Sequence, residues 1–174
     1  MKPKVYVETT VVSYLTAFPS RDLLLAAHQQ VTRDWWAGRD AFSLFVSQFV
    51  WDEAAAGSAA AAERRLAALR ALPFLDLTNE ATTLAAELLR LGGVPQTAKI
   101  DALHIAVAAA HGMDYLVSWN CTHIANATMR GRIETICRAA GFIPPLICTP
   151  LELCLLYTSP SPRDRTRSRM PSSA

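Results

Sequence analysis

Short apolar runs rich in β-branched and aromatic residues alternate along this chain with longer segments of helical periodicity, and no hairpin signal joins any two of the short runs. Strands separated in this way by helices predict an α/β fold, a mainly parallel sheet covered by helices. The predicted strands are 5–7, 42–47 (FSLFVS), 115–118 (YLVS) and 146–148, and the predicted helices are 21–36, 48–56, 59–72, 80–91, 98–110 and about 125–140. Asn79 stands where it can cap its helix, while Gly112 and Gly141 stand where helix C-caps usually fall. The alanine-rich stretch 54–71 reads as helix, because Leu66, Leu69 and Leu72 recur at helical spacing.

With 174 residues, 51% of them apolar, the chain is about one domain that can bury its own core without staples. Its longest nearly uncharged apolar stretch, 102–111, is far short of the roughly 20 residues a bilayer span requires, and the N-terminus lacks an apolar signal core. The expectation is a cytoplasmic protein with no membrane partner. Cys121, Cys137, Cys148 and Cys154 match neither a CxxC pair nor a zinc pattern, and are expected to be buried thiols in a reducing compartment.

From Cys154 the texture changes to a Ser, Pro and Arg-rich tail with little to bury. The expected organisation is therefore one domain over 1–153 and a tail over 154–174, either disordered or a translated adapter sequence foreign to the natural chain. A basic RNA-binding arm is the competing reading. Formal charge is +2, but without Arg163, Arg165, Arg167, Arg169 and Asp164 the remainder carries 13 basic and 14 acidic residues, or −1. That balance excludes a platform that holds nucleic acid by bulk positive charge.

In an open parallel sheet, ligands bind beyond the carboxyl ends of the strands, and this rule sorts the acidic residues. Glu8 follows the first strand and Asn120 the YLVS strand, whereas Asp114 precedes its strand and belongs to the opposite edge. Glu53 lies on the helix entered directly from the second strand, on a face with Phe49 and Val50, and Asp101 occupies the first turn of KIDALHIAVAAAHG. Four oxygen-bearing side chains can thus converge on one small site. Three carboxylates without clustered His or Cys suit a hard cation, Mg²⁺ or Mn²⁺. Such a metal lowers the pKa of a bound water and neutralises charge building on a phosphate, the chemistry of phosphodiester hydrolysis.

Each residue also has a purely structural reading. Asp101 favours its helix dipole by roughly 0.3–1 kcal/mol with no catalytic role; Asn120 suits a turn or cap; Glu53 is as readily a solvated helix-face acid. His104, one turn after Asp101, reads as a satisfied core histidine rather than a ligand. His123 is placed either to contact substrate phosphate or to support the loop-to-helix junction. The four tryptophans read as core or interface material, and no P-loop, GxGxxG or GxSxG is present.

Three segments in order, VYVETTVVSYL, SQFVWDEAAAG and DALHIAVAAAHGMDYLVSWNCTHIANA, give the sequence its resemblance to PIN-domain proteins. Specifically, it resembles the VapC-like toxins of bacterial type II toxin–antitoxin systems over about residues 4–153. The resemblance implies a three-layer α/β/α sandwich and a Mg²⁺-dependent endoribonuclease in which Mn²⁺ can substitute. It also implies a cognate antitoxin and a homodimer. By position, the family's first-strand aspartate corresponds to Glu8, with Thr10 as the adjacent hydroxyl, its central glutamate to Glu53, its helix-start aspartate to Asp101, and its late aspartate to Asn120. Glu at position 8 adds a methylene, and Asn at 120 removes a charge, so one-metal occupancy is expected.

The resulting expectation is hydrolysis of RNA with Mg²⁺ held by Glu8, Glu53 and Asp101, Asn120 assisting, and Thr10 and His123 on the substrate side. A catalytically weak PIN scaffold that binds RNA or protein is the alternative. A metal-dependent phosphatase is disfavoured because DxDx[TV] is absent.

Overall fold

The computed structural model describes residues 1–158. The chain begins with β1 (Lys4–Val7), α1 (Thr9–Thr16), α2 (Leu23–Ala37), a 3-10 turn (Arg39–Ala41), β2 (Ser43–Ser47), α3 (Gln48–Ala55) and α4 (Ala59–Leu69). It continues with β3 (Phe74–Leu75), α5 (Asn79–Arg90), α6 (Lys99–Ala110), β4 (Tyr115–Val117), α7 (Ala127–Ala139), β5 (Leu146–Cys148) and α8 (Pro150–Thr158). All strand pairs are parallel and the sheet order is β3-β2-β1-β4-β5. The helices form two packed groups, α1 to α4 with α8 and α5 to α7, which with the sheet make the three-layer α/β sandwich.

β1 is the middle strand, paired in register with β2 through Tyr6 and Phe45 and with β4 through Tyr6 and Leu116. Covered on both sides, it is apolar on consecutive positions, and Val5, Tyr6 and Val7 are all fully buried. Successive strands lie to one side of β1 and then to the other, so β1 and β4 flank the point where the winding reverses. In open parallel sheets the ligand cleft lies at that point, beyond the carboxyl edge.

Four elements differ from the sequence reading, among them α8 (Pro150–Thr158), a helix that crosses the expected start of the tail at Cys154. The segment TTVVSYLT forms α1 although its β-branched residues favour strand, because Thr9, Val11 and Val12 bury against the core and packing overrides propensity. β3 is a two-residue edge strand after Pro73, too short to leave a periodic signal. The cap before α5 is Thr78, whose hydroxyl accepts from the Ala81 amide at 3.1 Å, and Asn79 is the first helical residue. Gly112 and Gly141 both have positive φ, 61° and 87°, directly after their helices. In each case the next amide reaches back to the helix, Met113 to Ala108 at 3.0 Å and Phe142 to Cys137 at 2.9 Å.

Cys137 and Cys148 are buried as expected, but Cys154 on α8 is only half-buried and Cys121 is exposed, the latter because it lies in the loop after β4 rather than in an element. α8 continues through 154–158, and the rest of the tail lies outside the described residues. No helix among the described residues is long and apolar enough to cross a membrane.

Candidate metal centre at the carboxyl edge of the sheet

Glu8 is the first residue beyond β1 and the N-cap of α1, in extended conformation with φ −83° and ψ 158°. Its backbone amide still bonds Val117 of β4 at 3.1 Å, so the chain turns from strand to helix while anchored to the sheet. This turn leaves the side chain at the cleft, 4% exposed. Ser118 Oγ donates to Glu8 Oε2 at 2.7 Å, and Thr10 Oγ1 donates to the same oxygen. Thr10 also accepts from the Trp119 amide at 2.8 Å, which commits its hydroxyl to holding Glu8 in place. Burial pushes the Glu8 carboxyl above its ordinary value, and the nearby His104, Thr10 and Ser118 offset only part of that rise.

Glu53 reaches the cleft from the second turn of α3, with its side chain 41% exposed. Thr9 Oγ1 donates to Glu53 Oε2 at 2.5 Å, and His104 Nε2 lies 3.0 Å from that oxygen. Partial burial acts to raise this carboxyl, but the bonds from His104 and Thr9 outweigh it and hold the group below its ordinary value. His104, on α6, is fully buried; its Nδ1 is 2.8 Å from Tyr6 Oη, which is 2.6 Å from Ser47 Oγ. Burial keeps the Tyr6 phenol protonated, well above its ordinary range.

Asp101, in the first turn of α6, forms a second group with Asn120 and His123. Asn120 Nδ2 donates to Asp101 Oδ1 at 3.0 Å, and His123 Nδ1 lies 2.6 Å from Oδ2. Asn120 also shapes its own loop, its Oδ1 accepting from the His123 amide at 3.2 Å. The two groups are joined through Ser118, whose Oγ accepts from the Asn120 amide at 2.9 Å while donating to Glu8. Asp114 lies at the opposite edge, accepting from the Lys4 amide at 2.7 Å.

One ligand atom each from Glu8, Glu53 and His104 fall within 4.8 Å of one another. Among the described residues no Lys or Arg forms an ion pair with Glu8, Glu53 or Asp101; histidines are the only ion-pair partners of the last two. Oxygen donors converging without a compensating cationic side chain fit a hard divalent ion. Sequence reasoning missed Thr9, Ser118, Tyr6 and Ser47, hydroxyl residues whose part depends on cross-strand neighbours. The hydroxyls of ETT and the serine closing YLVS were the available signal.

A parallel α/β sandwich with acidic side chains gathered beyond its central strands defines a protein whose site lies at the carboxyl edge. The chain belongs to the PIN-domain family, whose model, described as PIN domain, matches residues 5–120. No curated protein matches the chain. Its structure is similar to a chain in the crystal structure of VapBC2 from Rickettsia felis bound to a DNA fragment from their promoter. The TM-score is 0.55 at 16% sequence identity, covering 84% of this chain and 98% of that one.

Proposed function

We propose that the protein is a metal-dependent endoribonuclease, the toxin of a type II toxin–antitoxin pair, acting in the cytoplasm. The observation that carries this reading is the convergence of Glu8 and Glu53 at the carboxyl edge of the sheet, with Asp101 tied to Glu8 through Asn120 and Ser118. Glu8, Glu53 and Asp101 would hold Mg²⁺, for which Mn²⁺ substitutes. When bound, the cation supplies Lewis-acid activation and neutralises charge developing on the scissile phosphate. The protein's own part is to hold these oxygens in place with Thr9, Thr10, Ser118 and Asn120. His123, whose Nδ1 lies 2.6 Å from Asp101 Oδ2, would contact an RNA phosphate through its other ring nitrogen. The antitoxin partner and the homodimer belong to this reading, and the fold shared with a chain of the VapBC2 structure supports the antitoxin.

Purified full-length protein should cleave single-stranded RNA with Mg²⁺ or Mn²⁺ and lose cleavage in EDTA. Asp101→Asn should lower the rate by at least about 100-fold with the melting temperature preserved, since Asn keeps an oxygen for Asn120 while removing the charge. Unchanged cleavage in that variant would reject the assignment.

One observation favours a second reading, a PIN scaffold that binds RNA or protein without cleaving it. Both Asp101 oxygens are already engaged, by Asn120 and His123, at positions where the Glu8 and Asn120 departures from the family pattern alter the site. Calorimetric titration with Mg²⁺ separates the two, because a scaffold shows no binding that Glu53→Gln abolishes.

A further inference from the structure

The group of ligand atoms at the cleft includes His104 as readily as the two glutamates. Its surroundings assign it a different task. The ring has no exposed surface, and it is packed between Tyr6, tilted at 52° with centroids 5.8 Å apart, and Phe49, edge-on at 87° and 6.3 Å. Both nitrogens have partners: Nδ1 is bonded to Tyr6 Oη, which is bonded in turn to Ser47 Oγ, and Nε2 faces Glu53 Oε2 at 3.0 Å. An ionised carboxylate only accepts hydrogen bonds, so a 3.0 Å contact to it requires the proton to sit on Nε2. A nitrogen bearing a proton has no lone pair to give a metal.

We infer that His104 is a positioning residue of the metal centre and not one of its ligands. Its Nε2–H donates to Glu53 Oε2 and leaves the other Glu53 oxygen for the cation, while Tyr6 and Ser47 fix the ring. This inference rests on the metal-centre reading given above. Thr9 donates to the same Oε2 at 2.5 Å, so the two donors that orient this glutamate converge on one of its oxygens. Three hydroxyl and imidazole groups from β1, β2 and α6 thus set the rotamer of a glutamate on α3. A half-exposed Glu side chain would otherwise sample several orientations. The arrangement also matches the ion: oxygen donors suit Mg²⁺ and Mn²⁺, whereas an imidazole ligand suits softer metals.

The test uses full-length protein and Mn²⁺ as the probe. In the metal-free protein, long-range ¹H–¹⁵N correlation spectra should show His104 protonated at Nε2. In the Mn²⁺-loaded protein, electron spin echo envelope modulation should show no directly coordinated imidazole nitrogen. His104→Ala should weaken Mn²⁺ binding by about 10-fold or more, as loss of a partner behind a ligand does. His104→Gln, whose amide places a donor near the Nε2 position, should recover most of that affinity. An unprotonated Nε2, a coordinated nitrogen, or a Gln variant as weak as Ala would each overturn the inference. If His104→Ala fails to fold, the two spectra of the wild-type protein still decide it. Failure of the metal reading looks different: Mn²⁺ would bind wild type and Glu53→Gln alike, and the metal-free spectrum alone would then report whether His104 holds Glu53.

Discussion

Ser118 Oγ donates to Glu8 Oε2 at 2.7 Å across 110 positions of sequence, joining the end of β4 to the end of β1. The serine oxygen also accepts from the Asn120 amide at 2.9 Å, so one hydroxyl connects the buried glutamate to the loop that contacts Asp101. Removing it should disturb both sides. Ser118→Ala should cost about 1–3 kcal/mol, because the Asn120 amide loses its partner inside the fold. Chemical denaturation measures that loss, and a parallel Mn²⁺ titration should show affinity reduced about 10-fold. A variant with wild-type stability and affinity would show the link to be incidental.

Glu8 is a case where function opposes stability. Burial raises its carboxyl above the ordinary 4.5, so the folded state holds that proton more tightly than the unfolded chain does. Its contribution to stability is therefore fully present below pH 4.5 and is lost as pH rises through the folded-state value. At pH 7 without metal the buried carboxyl costs stability, either by taking up a proton on folding or by burying a charge, and Glu8→Gln, whose carbonyl can still accept from Thr10 and Ser118, should be the more stable protein. Each kcal/mol recovered should raise Tm by about 2–4 °C. Melting curves from pH 4 to 8 should show the advantage of the variant growing with pH, while Mg²⁺ stabilises only the wild type. A Gln variant less stable than wild type at pH 7 would contradict this account.

Two glycines should respond to alanine in opposite directions. Gly112 has φ 61° and open space where an alanine methyl would stand, so its substitution costs backbone strain alone, roughly 1–2 kcal/mol. Gly131 lies exposed inside α7, also with open space around it, and Gly131→Ala should gain about 0.5–1 kcal/mol from reduced unfolded-state entropy. Urea midpoints of the two variants should bracket that of the wild type.

The cysteines should separate by environment. Burial pushes Cys137 up to about 11 and Cys148 up to about 12, which leaves almost no thiolate at neutral pH. Cys121 is exposed. Under native conditions maleimide should label Cys121 far faster than either buried thiol, with mass mapping of peptides as the readout. Fast labelling of Cys148 would mean that β5 opens readily from the sheet edge.

The layout of the fold was legible because its signals are local. Val5–Val7, 43–47 and 115–117 are short apolar runs between polar boundaries, and α5 and α7 carry helical periodicity over several turns. α1 was not, since the β-branched TTVV favours strand until Val11 and Val12 find the core. β3 was not, since two residues hold no period. In the site, Glu8, Glu53, Asp101 and Asn120 were found by asking which acids follow strands or begin helices, a question chain order answers. The hydroxyls of Ser118, Thr9 and Ser47 have no such positional mark.

The sequence by itself determined the parallel α/β architecture and the edge of the sheet that carries the acids, because strand order and side-chain period are properties of neighbouring residues. Only the tertiary structure decided how those acids are divided. Glu8 and Glu53 come together beside His104, while Asp101 turns to Asn120 and His123. The physical reason is that a carboxylate's orientation is set by the donors within about 3 Å of it. Those donors arrive from strands and helices that are distant along the chain.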